Sequence, residues 1–285
     1  MMKKFITGIL VVMAFLSVGC RSMSESPETS AKSVPFAYSL KQDSCYYLMK
    51  TTDDMWPVMG LENKYSVQWP AEGMLTPEAE RELLVALFGD STATSFDEAA
   101  ARWVGANEYE ALFQEDLVES RKVGVLQEDA LDMLCFDHVD SKIEENGNLV
   151  GFNIFYESYM GGAHGIYSCR ILIYDRDAAR MIHLADLVDT TNFGEVVVRA
   201  IEDLVVNQTV RECLFDEELL EDGFPVSTDF YIDSTRSTIT LIYQVYEIAP
   251  YACGPQEVVL PIFWLSKHRE LTPYAKEIFG EGCSL

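Results

Sequence analysis

The sequence predicts an α+β fold with largely antiparallel sheets, packed helices and two sub-domains. Three observations carry that reading. Extended and helical segments are grouped along the chain rather than alternated, which argues against a doubly wound parallel sheet. Two long strand candidates, Leu149 to Tyr159 and Ile166 to Tyr174, are joined by the glycine turn Gly161-Gly-Ala-His-Gly165. The helices carry start and stop signals and apolar residues on one face only.

Taken in order, Val34 to about Lys50 and Tyr65 to Trp69 read as strands. Thr76 is an N-cap candidate, Pro77 suits the first helical position, Glu78 and Glu80 favour the positive end of the dipole, and Gly89 is a stop. Leu83, Leu84, Leu87 and Phe88 form the buried face of that helix. A second helix starts at Ser95, with Glu98 completing a capping box and Phe96, Ala99, Ala100 and Trp103 facing inward. A third is expected over Tyr109 to Glu119, then strand and loop to the polar turn Glu144 to Asn148. After the glycine-joined strands, Asp175 to Arg180 reads as a hairpin loop and Met181 to Leu184 as extended chain. Asp186 to Val210 is expected to carry one helix, with Phe193, Val196, Val197, Ala200, Ile201 and Leu204 at helical spacing. Strands follow over Asp229 to Asp233, Thr238 to Val245 and Glu257 to Ile262; Tyr246 to Gly254 is a loop, and a helix at Pro273 to Phe279 closes the chain.

Composition excludes several function classes. The chain has 285 residues and is 48% hydrophobic, so it can build its own core. Its net charge is −25. Such a surface is repelled by phosphate backbones and anionic lipid, which excludes nucleic acid and electrostatic membrane docking and leaves a basic partner in favour.

Residues 1–19 read as a lipoprotein signal peptide. Lys3 and Lys4 form a positive start, and Phe5 to Leu16 is an apolar run too short to span a ~30 Å bilayer. Ser17-Val18-Gly19-Cys20 resembles a lipobox, with Leu16 one place earlier than usual. Cys20 is therefore the expected lipidation site, and cleavage before it takes the net charge from −25 to −27 by removing Lys3 and Lys4. Residues 20–33 are small, polar and unpatterned, a flexible tether. The expected location is the cell envelope, lipid-anchored outside the cytoplasm on the periplasmic or surface face. Six cysteines remain after Cys20; the sequence leaves free thiols and three disulfides equally open.

Two stretches carry a family resemblance. The first is Tyr156-Glu-Ser-Tyr-Met-Gly-Gly-Ala-His-Gly165 with His183-Leu-Ala-Asp-Leu187. The second is Phe230-Tyr231, Tyr243-Gln-Val-Tyr-Glu-Ile-Ala-Pro-Tyr-Ala-Cys-Gly254 and Val258-Val-Leu-Pro261. In order and spacing, over about residues 145 to 275, they resemble the extracellular domain of the anti-sigma-V factor (RsiV-like) family. The resemblance implies an envelope module, and in those factors it binds lysozyme. It also divides the chain into a smaller N-terminal α+β domain, 34–140, and an RsiV-like C-terminal α+β domain, 141–285. Those factors carry a cytoplasmic sigma-binding segment and a transmembrane helix; this chain has a signal peptide and lipid anchor in their place. Cys253 stands where the motif usually has a small residue.

The candidate binding residues are Tyr159, His164, Tyr246, Glu247 and Tyr251. Gly161 and Gly162 suit positive φ in the turn. His164 has two readings, a pH-sensitive contact, base or ligand, or a side chain that fixes its own loop. Tyr246 and Tyr251 flank Pro250 and make either an aromatic platform or a packed corner. No catalytic residue is assigned: no GxSxG elbow, P-loop or HExxH occurs. The four histidines at 138, 164, 183 and 268 have no metal-binding spacing, so neither metal nor cofactor is expected. The acidic stretch Asp216 to Asp222 reads as solvated surface or a contact for a cation or basic protein. The expected function is non-catalytic binding of a lysozyme-like basic protein or a peptidoglycan fragment. Two other readings stay open, an enzyme acting on wall polysaccharide and an accessory subunit of an envelope complex.

Overall fold

A computed structural model describes residues 35–49, 59–105, 134–215, 220 and 224–280. The expected signal peptide, lipidation site Cys20 and tether, the expected helix at 109–119 and all of the acidic stretch except Leu220 lie outside the described residues. The fold is mixed α+β, with two mostly antiparallel sheets.

The larger sheet holds six strands in chain order: β1 (Tyr38–Met49), β2 (Met59–Pro70), β3 (Leu134–Asn146), β4 (Leu149–Tyr159), β5 (Ile166–Asp175) and β6 (Arg180–Ile182). Only β2 and β3 run parallel. Parallel neighbours need a long crossover, and this one carries helices α1 (Pro77–Phe88) and α2 (Phe96–Gly105). Both helices start and stop where their residues require. Thr76 accepts from Ala79 N, and Gly89 closes α1 at φ 67°. Ser95 accepts from Glu98 N at 3.3 Å, while Glu98 reaches back to Thr94 N rather than to Ser95.

After β6 come α3 (Leu184–Leu187), α4 (Phe193–Asp203), a 3-10 turn (Val205–Asn207) and α5 (Gln208–Cys213). The expected single helix over Asp186 to Val210 is thus broken, and Leu184 starts a helix instead of continuing a strand. The reason lies in Val188 to Asn192. Val188 is extended and bridges Leu271, Asp189 caps Thr191 N at 2.9 Å, and Asn192 turns left-handed at φ 50°. Short polar side chains satisfy the backbone locally and remove the gain from continuing a helix.

The smaller sheet is β7 (Phe230–Asp233), β8 (Thr238–Tyr243) and β9 (Gln256–Pro261), all antiparallel. Helix α6 (Ile262–His268) follows directly, where the sequence suggested strand at Ile262, and α7 (Pro273–Phe279) ends the description. Among the described residues no helix is long and apolar enough to cross a membrane.

Strand alternation distributes two cores over the β4–β5 pair. Val150, Phe152 and Ile154 point to one face and pack with Val67, Trp69, Leu83, Leu87 and Phe96. Ile171 and Ile173 point to the other and join Val197, Ile201, Leu241, Val258 and Leu260. The expected 140/141 boundary falls inside β3, a strand of the six-stranded sheet, and the two cores cover different faces of its β4–β5 pair.

Two side-chain amides finish the sheet edges. Gln244 pairs with the Cys169 backbone on β5, accepting from its N at 2.9 Å and donating to its O at 2.6 Å. The fully buried Asn207 does the same for β9, accepting from Val259 N at 2.9 Å and donating to Val259 O at 3.0 Å and Ala200 O at 2.8 Å. An open edge invites pairing with another chain, and each amide occupies the position a further strand would take.

Candidate functional site: an aromatic surface over an inter-sheet cavity

The β4–β5 turn needs its glycines. Gly161 and Gly162 have φ of 99° and 93°, and a Cβ on Gly165 would stand 2.7 Å from Ser158 O. Tyr159 Oη donates to Gly162 O at 3.0 Å and fastens the turn from within. The turn projects His164 toward the loop after β8. There the His164 and Tyr251 rings stack at 4.1 Å, Tyr246 and Tyr251 lie 5.5 Å apart, and Tyr167 meets Tyr251 edge-on at 5.7 Å. His164 Nδ1 donates to Gly165 O at 2.9 Å, and its Nε2 lies 3.3 Å from the Tyr246 hydroxyl. Desolvation, then the neighbouring Tyr167, Tyr246 and Glu157, push the Tyr251 phenol up, keeping it an uncharged donor at neutral pH.

Three of the five residues singled out from sequence, His164, Tyr246 and Tyr251, therefore form one cluster across 82 residues of chain. The other two hold it up. Tyr159 locks the turn as described. Glu247 is exposed as a residue, yet its Oε2 accepts from Gln244 N at 2.8 Å; lost hydration at that end raises its pKa. Tyr246 is 49% exposed and sits at φ 67°, a left-handed conformation uncommon outside glycine and asparagine. Tyr167 escaped the sequence reading. Its signal is the period of two in β5, which places Tyr167, Cys169, Ile171 and Ile173 on one face.

That face also bounds a cavity of about 90 Å³ between the two sheets. Gly151, Phe155, Ile171, Ile173 and Ile242 make its apolar walls, and Glu144, Asn153 and Glu257 supply polar groups. Tyr231 Oη donates to Glu257 Oε2 at 3.1 Å. Beside it, Asp229 lies 3.6 Å from Arg170 Nε; desolvation raises its pKa against that opposing charge. Among the described residues no three His, Cys, Asp or Glu side chains converge as metal ligands. Cys45, Cys135, Cys213 and Cys253 are free thiols, and Cys213 hydrogen-bonds to Cys253, which together with burial pushes the Cys213 thiol up to about 11.

Comparison with protein-family models matches residues 191–262 to a protein of unknown function, DUF3298. This match contains the loop with Tyr246 and Tyr251, whereas His164 comes from the β4–β5 turn and Tyr167 from β5, both before it. A crystal structure of a DUF3298 family member from Bacteroides fragilis shares 23% identity over 86% of this chain and 98% of its own, with a TM-score of 0.55. A DUF3298 family protein from Pseudomonas aeruginosa is 18% identical over 85% and 97%, with a TM-score of 0.47. The first of these shows a shared fold. Comparison with curated proteins finds no match. The DUF3298 match falls within the span of the motif resemblance, residues 145 to 275, and nothing in the matches names the anti-sigma-V branch.

Proposed function

We propose that this protein is a non-catalytic, lipid-anchored cell-envelope protein that captures a basic protein outside the cytoplasm, a lysozyme-like hydrolase being the most concrete candidate. One observation carries the reading: His164, Tyr246 and Tyr251 are assembled from distant segments at the surface, with a half-exposed tyrosine held left-handed. Backbone strain of this kind persists where the surroundings impose it, and it clusters at binding sites. Tyrosine dominates interface hot spots because it brings a large rigid face and a polar tip. The charge selects the partner. A chain of net charge −25, with Glu157 beside Tyr251, attracts a basic protein and repels an anionic wall polymer. The motif resemblance to the lysozyme-binding domain of anti-sigma-V factors points the same way.

The reading as a wall-polysaccharide enzyme would need two carboxylates around a sugar. Glu144 and Glu257 both line the inter-sheet cavity, but its volume of about 90 Å³ is smaller than the ~150 Å³ that admits a benzene ring, so such an enzyme would have to use the wider groove along α2, about 530 Å³ with Asp90 and Asp137 in its lining.

The test is calorimetric titration of the full chain with lysozyme at low and at high salt, with Tyr251→Ala alongside. The expected result is binding that weakens with salt and is lost in the variant. Absence of heat at low salt, with heat on adding muropeptides instead, would overturn the choice of partner. Turnover of a muropeptide would overturn the non-catalytic reading.

A further inference from the structure

We propose that Glu157 and the aromatic rings around it form the seat for an arginine side chain of the captured protein. The inference rests on the basic-protein reading and adds which group of the partner is held.

Strand register builds the seat. Antiparallel pairing sets Glu157 on β4 opposite His138 on β3 and opposite Tyr167 on β5. Residues so paired share a face of the sheet, with Cβ atoms about 4.5–5.5 Å apart. The alternation that sends Phe152 and Ile154 to the α1–α2 core sends Phe155, Glu157 and Tyr159 to the other face. Rings gather there on both sides of the carboxylate. Tyr167 lies 6.0 Å from Phe155 and 5.7 Å from Tyr251, while Phe136 lies 4.6 Å from His138 and 6.1 Å from Tyr159. The charge of Glu157 is felt by the Tyr251 phenol, so the loop after β8 brings that ring within electrostatic reach of the carboxylate.

The carboxylate has no counter-ion of its own. Glu157 is half-buried, and it makes no hydrogen bond or ion pair among the described residues. The cations nearby are engaged or distant. His138 meets Glu62 at 3.0 Å, Arg170 meets Asp229 at 3.6 Å, and Lys64 stands opposite His138, two strands away from Glu157. A half-buried, unpaired carboxylate between rings calls for a cation that sheds water easily and lies flat. Guanidinium is planar and weakly hydrated, forks two N–H groups onto one carboxylate and stacks on aromatic faces. A lysine ammonium is a strongly hydrated point charge and lacks the flat face. An anionic group would meet Glu157 and a chain of net charge −25.

The experiment follows the ring resonances of Tyr167, Tyr246 and Tyr251 in the full chain during titration with Nα-acetyl-arginine methylamide and with its lysine and citrulline counterparts. Citrulline keeps the shape of arginine and loses the charge. Saturable shifts are expected with the arginine derivative, and affinity for citrulline is expected to be about tenfold lower, the worth of one charge-assisted contact. Glu157→Gln should narrow that gap to less than about twofold. If this variant does not fold, the gap in the unaltered chain decides alone. Equal affinity for arginine and citrulline, a gap untouched by Glu157→Gln, or shifts that avoid these rings would overturn the assignment. Equal affinity for lysine would overturn the choice of arginine. Lysozyme is titrated separately. Discrimination of arginine without lysozyme binding removes the choice of partner and leaves the seat; lysozyme binding without that discrimination removes the seat and leaves the proposed function.

Discussion

Tyr246 sets stability against recognition within one residue. Its left-handed backbone, φ 67°, costs a non-glycine residue about 1–2 kcal/mol. Glycine carries no such cost there, so Tyr246→Gly is expected to keep or raise the melting temperature. The same change removes the hydroxyl that meets His164 and is expected to weaken lysozyme binding by more than tenfold, the scale of an interface hot spot. Melting curves and titration on one sample check both halves; a lower melting temperature with unchanged binding contradicts them. Asn207 shows the opposite balance. Its amide satisfies Ala200 O and both polar atoms of Val259 in a fully buried place. Asn207→Ala leaves those groups unpaired and should cost about 3 kcal/mol in urea unfolding, since each buried orphan costs ~1–3 kcal/mol before relaxation.

At the scale of elements, the loop after β8 owes its position to neighbours. Gln244 ties its start to β5, Phe215 N donates to Ile248 O at 3.1 Å, and Cys253 meets Cys213 at the end of α5. The raised Cys213 pKa leaves little thiolate at neutral pH, so oxidation is slow there and faster as pH rises toward about 11. Treatment with oxidised glutathione at about pH 9 is expected to join Cys213 to Cys253, with two glutathione molecules as the reduced product and a loss of two hydrogens from the protein. Peptide mapping without reductant checks the pairing; linkage of Cys213 to any other cysteine contradicts the geometry. Helix α1 gives a plainer case. Thr76→Ala removes a cap and should cost about 1 kcal/mol, read from the urea midpoint.

For the whole molecule, charge and buried acids act together. Asp137, Asp229 and Glu247 all have raised pKa values, with desolvation the largest cause in each. Each therefore holds its proton more tightly folded than unfolded, and the folded state loses that advantage as pH rises from the ordinary carboxylate range, about 4, through the raised values. Asp90, Asp186 and Asp189 are lowered, so their contribution is lost only when pH falls below that range. As pH falls toward the ordinary carboxylate range, about 4, the raised group gains, and relief of self-repulsion at −25 adds to it. The melting temperature is expected to rise over that descent, and Asp229→Asn should flatten part of the rise. A flat or falling profile contradicts the assignment.

Composition and local patterning already determined the acidic surface, the α+β class, helix α1 from Thr76 to Gly89, the glycine-joined strands β4 and β5, and His164, Tyr246 and Tyr251 as residues of interest. These follow from periodicity, caps and turn chemistry, which act over a few residues and leave their mark there. Tertiary structure decided the rest. It broke the helix expected over Asp186 to Val210, because Val188 gains more from bridging Leu271 than from helical continuation. It gave Tyr159 and Glu247 hydrogen bonds within their own loops, and it gave Gln244 and Asn207 their edge-closing role. The inter-sheet cavity belongs wholly to this second class. Its walls come from β3, β4, β5, β7, β8 and β9, and no local pattern states how far apart two sheets will settle.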